Sequence, residues 1–254
     1  SLGDVIHNLP VVSDLRRGFP EARIDWCVEE SFAAIPRLHP GVHEIIPVAI
    51  RRWRKQLTKS ATWREIAAFR RQIAAKPYAA VIDTQGLVKS ALLARRANGP
   101  RLGYAADSAR EPLAARCYDR TFHIARDLHA VVRNRLLAAA ALGYATAGEP
   151  DYGIDTVPGA FPWLPHRPYV VFLTATSRDD KLWPETNWLA LGRHLNSLGF
   201  SCVLPGGSAV ERERASRLAS AIPGAVAAPA MSIPDLAGLL AGARAVVGVD
   251  TGLT

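Results

Sequence analysis

Apolar residues in this chain gather in short continuous runs, and the stretches between them repeat with helical spacing. In the first half, the runs at 23–28, 44–48 and 79–83 predict strands, while 4–17, 62–75 and 87–97 predict helices. The second half repeats the alternation, with runs at 169–174, 201–204, 224–228 and 245–249 and helical stretches at 185–198, 209–221 and 232–241. Short apolar strands alternating with helices belong to parallel sheets covered on both faces. Residues 143–168 break the rhythm with five prolines and several glycines, and read as a linker or loop-rich crossover.

The expected architecture is α/β, with two doubly wound, Rossmann-like domains at 1–150 and 151–254 and a cleft between them. Ligands of such sheets bind beyond the carboxyl ends of the strands. Residue 4 opens a helix with no strand to feed it, and the last strand has no helix after it. The chain therefore reads as a segment of a longer protein.

With 254 residues, 49% hydrophobic and 21% charged, the chain can bury a substantial core. No apolar run approaches the roughly 18–20 residues of a membrane span. Cys27, Cys117 and Cys202 lack metal-ligand spacing and suit a reducing cytoplasm, and the seven histidines show no paired metal spacing. The net charge of +8 is concentrated, because residues 51–76 hold nine Lys/Arg against one acid, Glu65. A local cluster implies an anionic partner at one place: a nucleic-acid backbone, a phosphorylated lipid headgroup or an anionic leaflet. Arg51, Arg52, Arg54 and Lys55 are its densest part, with a solvated loop as the plainer alternative.

The candidate chemistry lies just after predicted strands or at helix starts. Thr176, Ser177 and Lys181 follow the 169–174 strand and precede a helix with Pro184 at its start. Two hydroxyls, a mobile cation and unpaired helix amides suit a diphosphate without a metal, whereas a surface loop would explain them equally well. Asp4 sits at a helix start, either as an N-cap or as a general base toward an acceptor hydroxyl. The run Leu204-Pro205-Gly206-Gly207-Ser208 lets a ligand approach the backbone, and Glu211 beyond it can hold ribose hydroxyls; a plain turn is the alternative. Ser232 and Asp235 read as a capping box just after Met231. The run Asp83-Thr84-Gln85-Gly86-Leu87-Val88-Lys89-Ser90 also ends a strand at a helix start, and could face the same cleft. Asp250-Thr251-Gly252-Leu253 ends an apolar strand. An aspartic-protease reading of its Asp-Thr-Gly fails because that fold is all-β.

Taken together, these motifs resemble the lipopolysaccharide heptosyltransferases of glycosyltransferase family 9. The likeness runs through nearly the whole chain: Ser1-Leu-Gly-Asp4-Val-Ile-His7, Asp25-Trp-Cys-Val-Glu-Glu30, Ile46-Pro-Val-Ala-Ile-Arg-Arg-Trp-Arg-Lys55, residues 81–90, Ala109-Arg110-Glu111-Pro112-Leu113, residues 176–184 and the Asp250-Thr251-Gly252-Leu253 motif. The run at 46–55 is the specific part and favours addition of the first heptose; the Asp-Thr-Gly-Leu motif alone marks only the family. The resemblance implies a GT-B fold and inverting, metal-independent transfer of L-glycero-D-manno-heptose from ADP-heptose to the Kdo of Kdo-lipid A, with no cofactor. It implies that Asp4 is the base, that Thr176, Ser177, Lys181, Thr251 and Gly252, with Leu253 beside them, hold the diphosphate, and that Glu211 takes ribose. Met231 would lie against the nucleoside and Asp250 would contact the heptose. Arg51, Arg52, Arg54, Lys55 and Arg110 would meet the acceptor's carboxylates and phosphates. The implied place is the cytoplasmic face of a Gram-negative inner membrane, on an anionic surface and without nucleic acid. A family member with another acceptor, a GT-B-shaped nucleotide-sugar epimerase or hydrolase, and a nucleic-acid-binding module are the competing readings.

Overall fold

The computed structural model describes residues 1–176 and 179–249. The chain forms two compact units, the first ending at Ile154 and the second beginning at Asp155. Every strand pairing among the described residues is parallel, so each pair is joined by a crossover rather than a hairpin.

The first unit runs α1 (Leu2–Ile6), α2 (Leu9–Gly18), β1 (Ile24–Glu29), β2 (Val42–Val48), α3 (Ile50–Trp53), α4 (Ser60–Ala74), β3 (Val81–Asp83), α5 (Val88–Ala94), β4 (Arg101–Tyr104), β5 (Arg120–Phe122) and α6 (Ala130–Leu142). β1 pairs with β2, and β3, β4 and β5 form a second sheet in that order. The single helix expected over 4–17 is split at His7 and Asn8, and the reason is Pro10. A continuous helix would lose the hydrogen bond from position 10 to Ile6 and drive the proline ring into that carbonyl. Restarting at Leu9 puts Pro10 in the first turn, where no donor is needed.

Among the elements that no periodicity announced are β4, β5 and α6. β4 and β5 are only four and three residues long, and each begins with an arginine. α6 is apolar nearly all round and buries Val131, Leu137, Ala138, Ala139 and Ala141, so it has no amphipathic stripe to read. It ends at Gly143, whose φ of +76° is the left-handed cap that glycine adopts without a Cβ penalty. Two polar residues of α6 are buried as well. Arg135 donates to Asp14 of α2 at 2.7 and 3.1 Å, and to the carbonyls of Ala147 and Gly148 at 3.0 and 3.1 Å.

The second unit holds β6 (Tyr169–Leu173), α7 (Glu185–Ser197), β7 (Ser201–Leu204), α8 (Ala209–Ala221), β8 (Val226–Ala227), α9 (Ile233–Ala241) and β9 (Ala245–Gly248), in the strand order β8-β7-β6-β9. β6 is buried at all five positions, and its side chains alternate between two cores. Val170 and Phe172 pack with Trp188, Leu204 and Leu218, while Tyr169, Val171 and Leu173 pack with Val203, Leu236 and Leu239. The Phe172 and Trp188 rings lie 4.9 Å apart. Burial pushes the Cys27 thiol up to about 12 and the Cys202 thiol up to about 11, which leaves both protonated within the packing. No helix among the described residues is long and apolar enough to cross a membrane.

Candidate active site

In the first unit, three sequence motifs meet around Asp4. Ser1 caps α1 and accepts a hydrogen bond from the Asp4 nitrogen at 3.3 Å, so Asp4 occupies the third helical position and is not itself the N-cap. Its Oδ2 accepts from the Ser1 nitrogen at 2.8 Å and from the Ser1 hydroxyl at 2.9 Å. Its Oδ1 accepts from the Arg110 guanidinium at 2.9 Å. An ionised carboxylate offers about four lone-pair sites. Donors among the described residues take three, which leaves one to receive a proton. Partial burial pushes the Asp4 carboxyl up, and the hydrogen bond and charge of the Arg110 guanidinium push it down. Asp4 is therefore ionised at neutral pH.

Arg110 is placed by its neighbours. Ala109 is fully buried, and the Glu111 nitrogen donates to the Gly86 carbonyl at 3.0 Å. The Glu111 carboxylate in turn accepts from the Val88 nitrogen at the start of α5, at 2.6 Å. Gly86 has a φ of +63°, and a Cβ there would press on Ala109 and Arg110. The loop after β3 and the loop bearing Arg110 are thus clamped together. Asp83 itself is buried and serves that clamp, accepting from Gln85 nitrogen at 2.9 Å and from the Ser90 and Tyr118 hydroxyls at 2.7 Å each. If Arg110 is replaced by Ala, the Asp4 carboxyl should rise toward its ordinary value. The acid limb of the kcat/KM profile should then move to higher pH, with Arg110→Lys restoring part of the shift. A limb that stays in place would show that Arg110 does not set it.

The sequence reading passed over two histidines here. The rings of His7 and His129 meet edge to face at 5.2 Å. Partial burial lowers the His7 pKa, His129 and Arg110 push the same way, and Asp4 opposes them. A histidine three residues after Asp4 on a short helix was the available signal. His129 also caps α6, with Nδ1 accepting from the Val131 nitrogen at 3.3 Å.

The basic cluster is not uniform. Arg52 binds both oxygens of Glu30, at 2.9 and 3.0 Å, and reaches Glu65 at 2.8 Å. Arg51 lies over the Phe32 ring at 5.2 Å. Arg54 and Lys55 are exposed and make no ion pair among the described residues. Asp25, His43 and Glu44 group closely enough to resemble a cation site, but the Lys76 ammonium already reaches both carboxylates.

In the second unit, the strand order reverses direction at β6, which makes the gap between the carboxyl ends of β6 and β9 the topological switch point. The two strands stay paired as far as Leu173 and Gly248, and the Val249 nitrogen donates to the Leu173 carbonyl at 3.2 Å. A pocket opens there, whose lining includes Asp180, Lys181, Trp183, Trp188, Gly248 and Val249. Thr176 and Lys181 thus follow β6 at this end of the sheet. Ser177, Asp250, Thr251, Gly252 and Leu253 lie outside the described residues. Glu211 is drawn into a capping box with Ser208: one oxygen accepts from the Gly207 and Ser208 nitrogens at 2.8 and 3.0 Å. Its second oxygen makes no hydrogen bond among the described residues. Met231 is half-buried against the core under α9.

Two Rossmann-like units, one presenting a held carboxylate and the other a switch-point pocket with a lysine, define a glycosyltransferase of the GT-B fold. The glycosyltransferase family 9 (heptosyltransferase) model matches residues 66–254, and the chain belongs to that family. It is 48% identical over its whole length to lipopolysaccharide heptosyltransferase 1 of Pseudomonas aeruginosa strain PAO1, covering 72% of that protein. The solved structure of E. coli heptosyltransferase WaaC with ADP superposes with a TM-score of 0.93 at 46% identity, over all of this chain and 80% of that one. The same enzyme solved with ADP-2-deoxy-2-fluoro heptose gives a TM-score of 0.92 at 46% identity, over all of this chain and 81% of that one.

Proposed function

We propose that this chain transfers L-glycero-D-manno-heptose from ADP-heptose to the Kdo of Kdo-lipid A, with inversion and without a metal or other cofactor. The observation that carries the reading is the 48% identity, across the whole chain, to a protein named lipopolysaccharide heptosyltransferase 1. The structures of its E. coli counterpart with ADP and with a fluorinated ADP-heptose support the donor. Inverting displacement needs a base behind the attacking hydroxyl and charge neutralisation at the leaving diphosphate. Asp4, ionised and held by Arg110, is the base. Thr176, Ser177, Lys181, Thr251 and Gly252, with Leu253, receive the diphosphate, where Lys181 offsets the charge that grows on the leaving ADP. The free oxygen of Glu211 takes ribose, Met231 lies against the nucleoside and Asp250 contacts the heptose. Arg51, Arg52, Arg54, Lys55 and Arg110 meet the acceptor's carboxylates and phosphates. The setting is the cytoplasmic face of a Gram-negative inner membrane, with an anionic leaflet and no nucleic acid as partner.

The decisive experiment is heptose transfer from ADP-heptose to Kdo-lipid A by the full-length protein. Transfer supports the reading, whereas ADP binding without transfer would point to another sugar or acceptor. Lys181→Ala should raise the donor KM by about tenfold to a hundredfold, the range expected when a charge-assisted contact to phosphate is lost. An unchanged donor KM and kcat would remove Lys181 from the site.

A further inference from the structure

We propose that the corner between α3 and α4 is an interfacial anchor that seats in an anionic lipid bilayer, with Leu57 and Trp63 entering the boundary between headgroups and acyl chains. The inference rests on the reading of a lipid-linked acceptor and specifies how the protein would reach it. Leu57 and Trp63 are 50% and 57% exposed, among the most exposed large apolar residues of the first unit. They are also joined, because the Trp63 indole nitrogen donates to the Leu57 carbonyl at 2.8 Å. That bond satisfies the indole's only polar group inside the protein. The ring can then leave water without stranding a donor, which is the main cost of burying tryptophan in lipid. Tryptophan in this half-wet setting is the side chain that membrane interfaces favour.

The support beneath the pair is firm. Thr62, next to Trp63, is buried, as are Phe69 about two turns further along α4 and Trp53 of α3. The Trp53 indole donates to Glu65 at 2.8 Å, so the one acid of the segment is turned back onto the protein, where Arg52 also holds it. What remains on the outside is positive. Lys59 and Arg64 flank the apolar pair, are exposed and make no ion pair among the described residues; the same holds for Arg54 and Lys55. An apolar tip ringed by unpaired cations complements an anionic leaflet. It complements nucleic acid less well, because a leucine offers bases no stacking surface.

The test uses sedimentation of the full-length protein with acceptor-free vesicles of phosphatidylcholine and phosphatidylglycerol, alongside turnover on a short water-soluble Kdo glycoside. Wild type should bind these vesicles, and bromine on the acyl chains should quench its fluorescence. Trp63→Phe should keep the binding and lose most of the quenching. The double variant Leu57→Ser, Trp63→Ser should lower partitioning by about tenfold or more and leave turnover on the soluble glycoside unchanged. Unaltered partitioning of the double variant would overturn the anchor. So would binding only when Kdo-lipid A is present in the vesicle, which would assign the pair to the acceptor's own chains, or quenching by single-stranded DNA without vesicle binding. Transfer to the soluble glycoside without vesicle binding would sink the anchor and leave the proposed function standing; vesicle binding without transfer would do the reverse.

Discussion

Replacing Asp4 with Ala is expected to lower kcat by about 10²- to 10⁴-fold, the range for a positioned general base, while ADP affinity stays within about twofold. The two halves of this expectation have separate structural grounds. Asp4 is the one carboxylate held between the Ser1 cap and the Arg110 guanidinium, with a lone-pair site left for the acceptor's proton. The pocket of Lys181 and Val249 belongs to the second unit, so nucleotide affinity has no reason to follow Asp4. The variant also loses half of a capping box, worth about 1 kcal/mol. A thermal melt should therefore accompany the kinetics, to separate a missing base from a loosened α1. Asp4→Asn keeps the size of the side chain and removes its basicity. It should be about as slow as Asp4→Ala, and turnover near that of wild type would take Asp4 out of the mechanism.

The largest effect on stability should come from Arg135→Ala. The Arg135 and Asp14 side chains are only 8% and 3% exposed, and their ion pair spans 121 residues of sequence. Removing one partner leaves the other as a buried charge, which typically costs about 3–5 kcal/mol. Arg17, 3.2 Å from Asp14, compensates only in part because its own side chain is half exposed. The carbonyls of Ala147 and Gly148 lose their donor at the same time. The melting midpoint of the first unit should fall by on the order of 10 °C. A double replacement by Leu at 14 and Met at 135 should recover much of that loss, since an apolar pair removes both charges together. If Arg135→Ala melts within a degree or two of wild type, the buried pair is not holding α2 and α6 together.

How much was legible in the sequence varied with the physics of each element. β6 and β7 announced themselves because continuous apolar runs have few other homes. α6 did not, because a helix buried on most sides carries no 3.6-residue alternation, and its arginine and asparagine look like surface residues until Asp14 and Tyr104 are placed beside them. The bond between Asp4 and Arg110 joins positions 106 residues apart, and no local pattern can show that; Arg110 entered through family resemblance alone. Glu211 illustrates the opposite case. The pattern Ser208-x-x-Glu211 is a capping box on its face, as was noticed at Ser232 and Asp235, and it commits one oxygen of Glu211 to the backbone. The basic cluster was read as one block. The structure separates it into Arg52, locked between carboxylates, and the exposed cations beyond it.

The pairing of β6 has a consequence for how the chain is made. Val170 of this central strand finds Ala245 of β9 only about 75 positions later. At the usual pace of synthesis, that is on the order of 4–15 s during which a Tyr-Val-Val-Phe-Leu strand has an open edge. β7 covers the other edge sooner, with Cys202 opposite Val170. The ribosome-bound intermediate is thus a lopsided sheet whose most apolar strand waits for its last neighbour. Until β9 emerges, that open edge is free to pair with another chain, and a chaperone that covers it would lower the risk of aggregation.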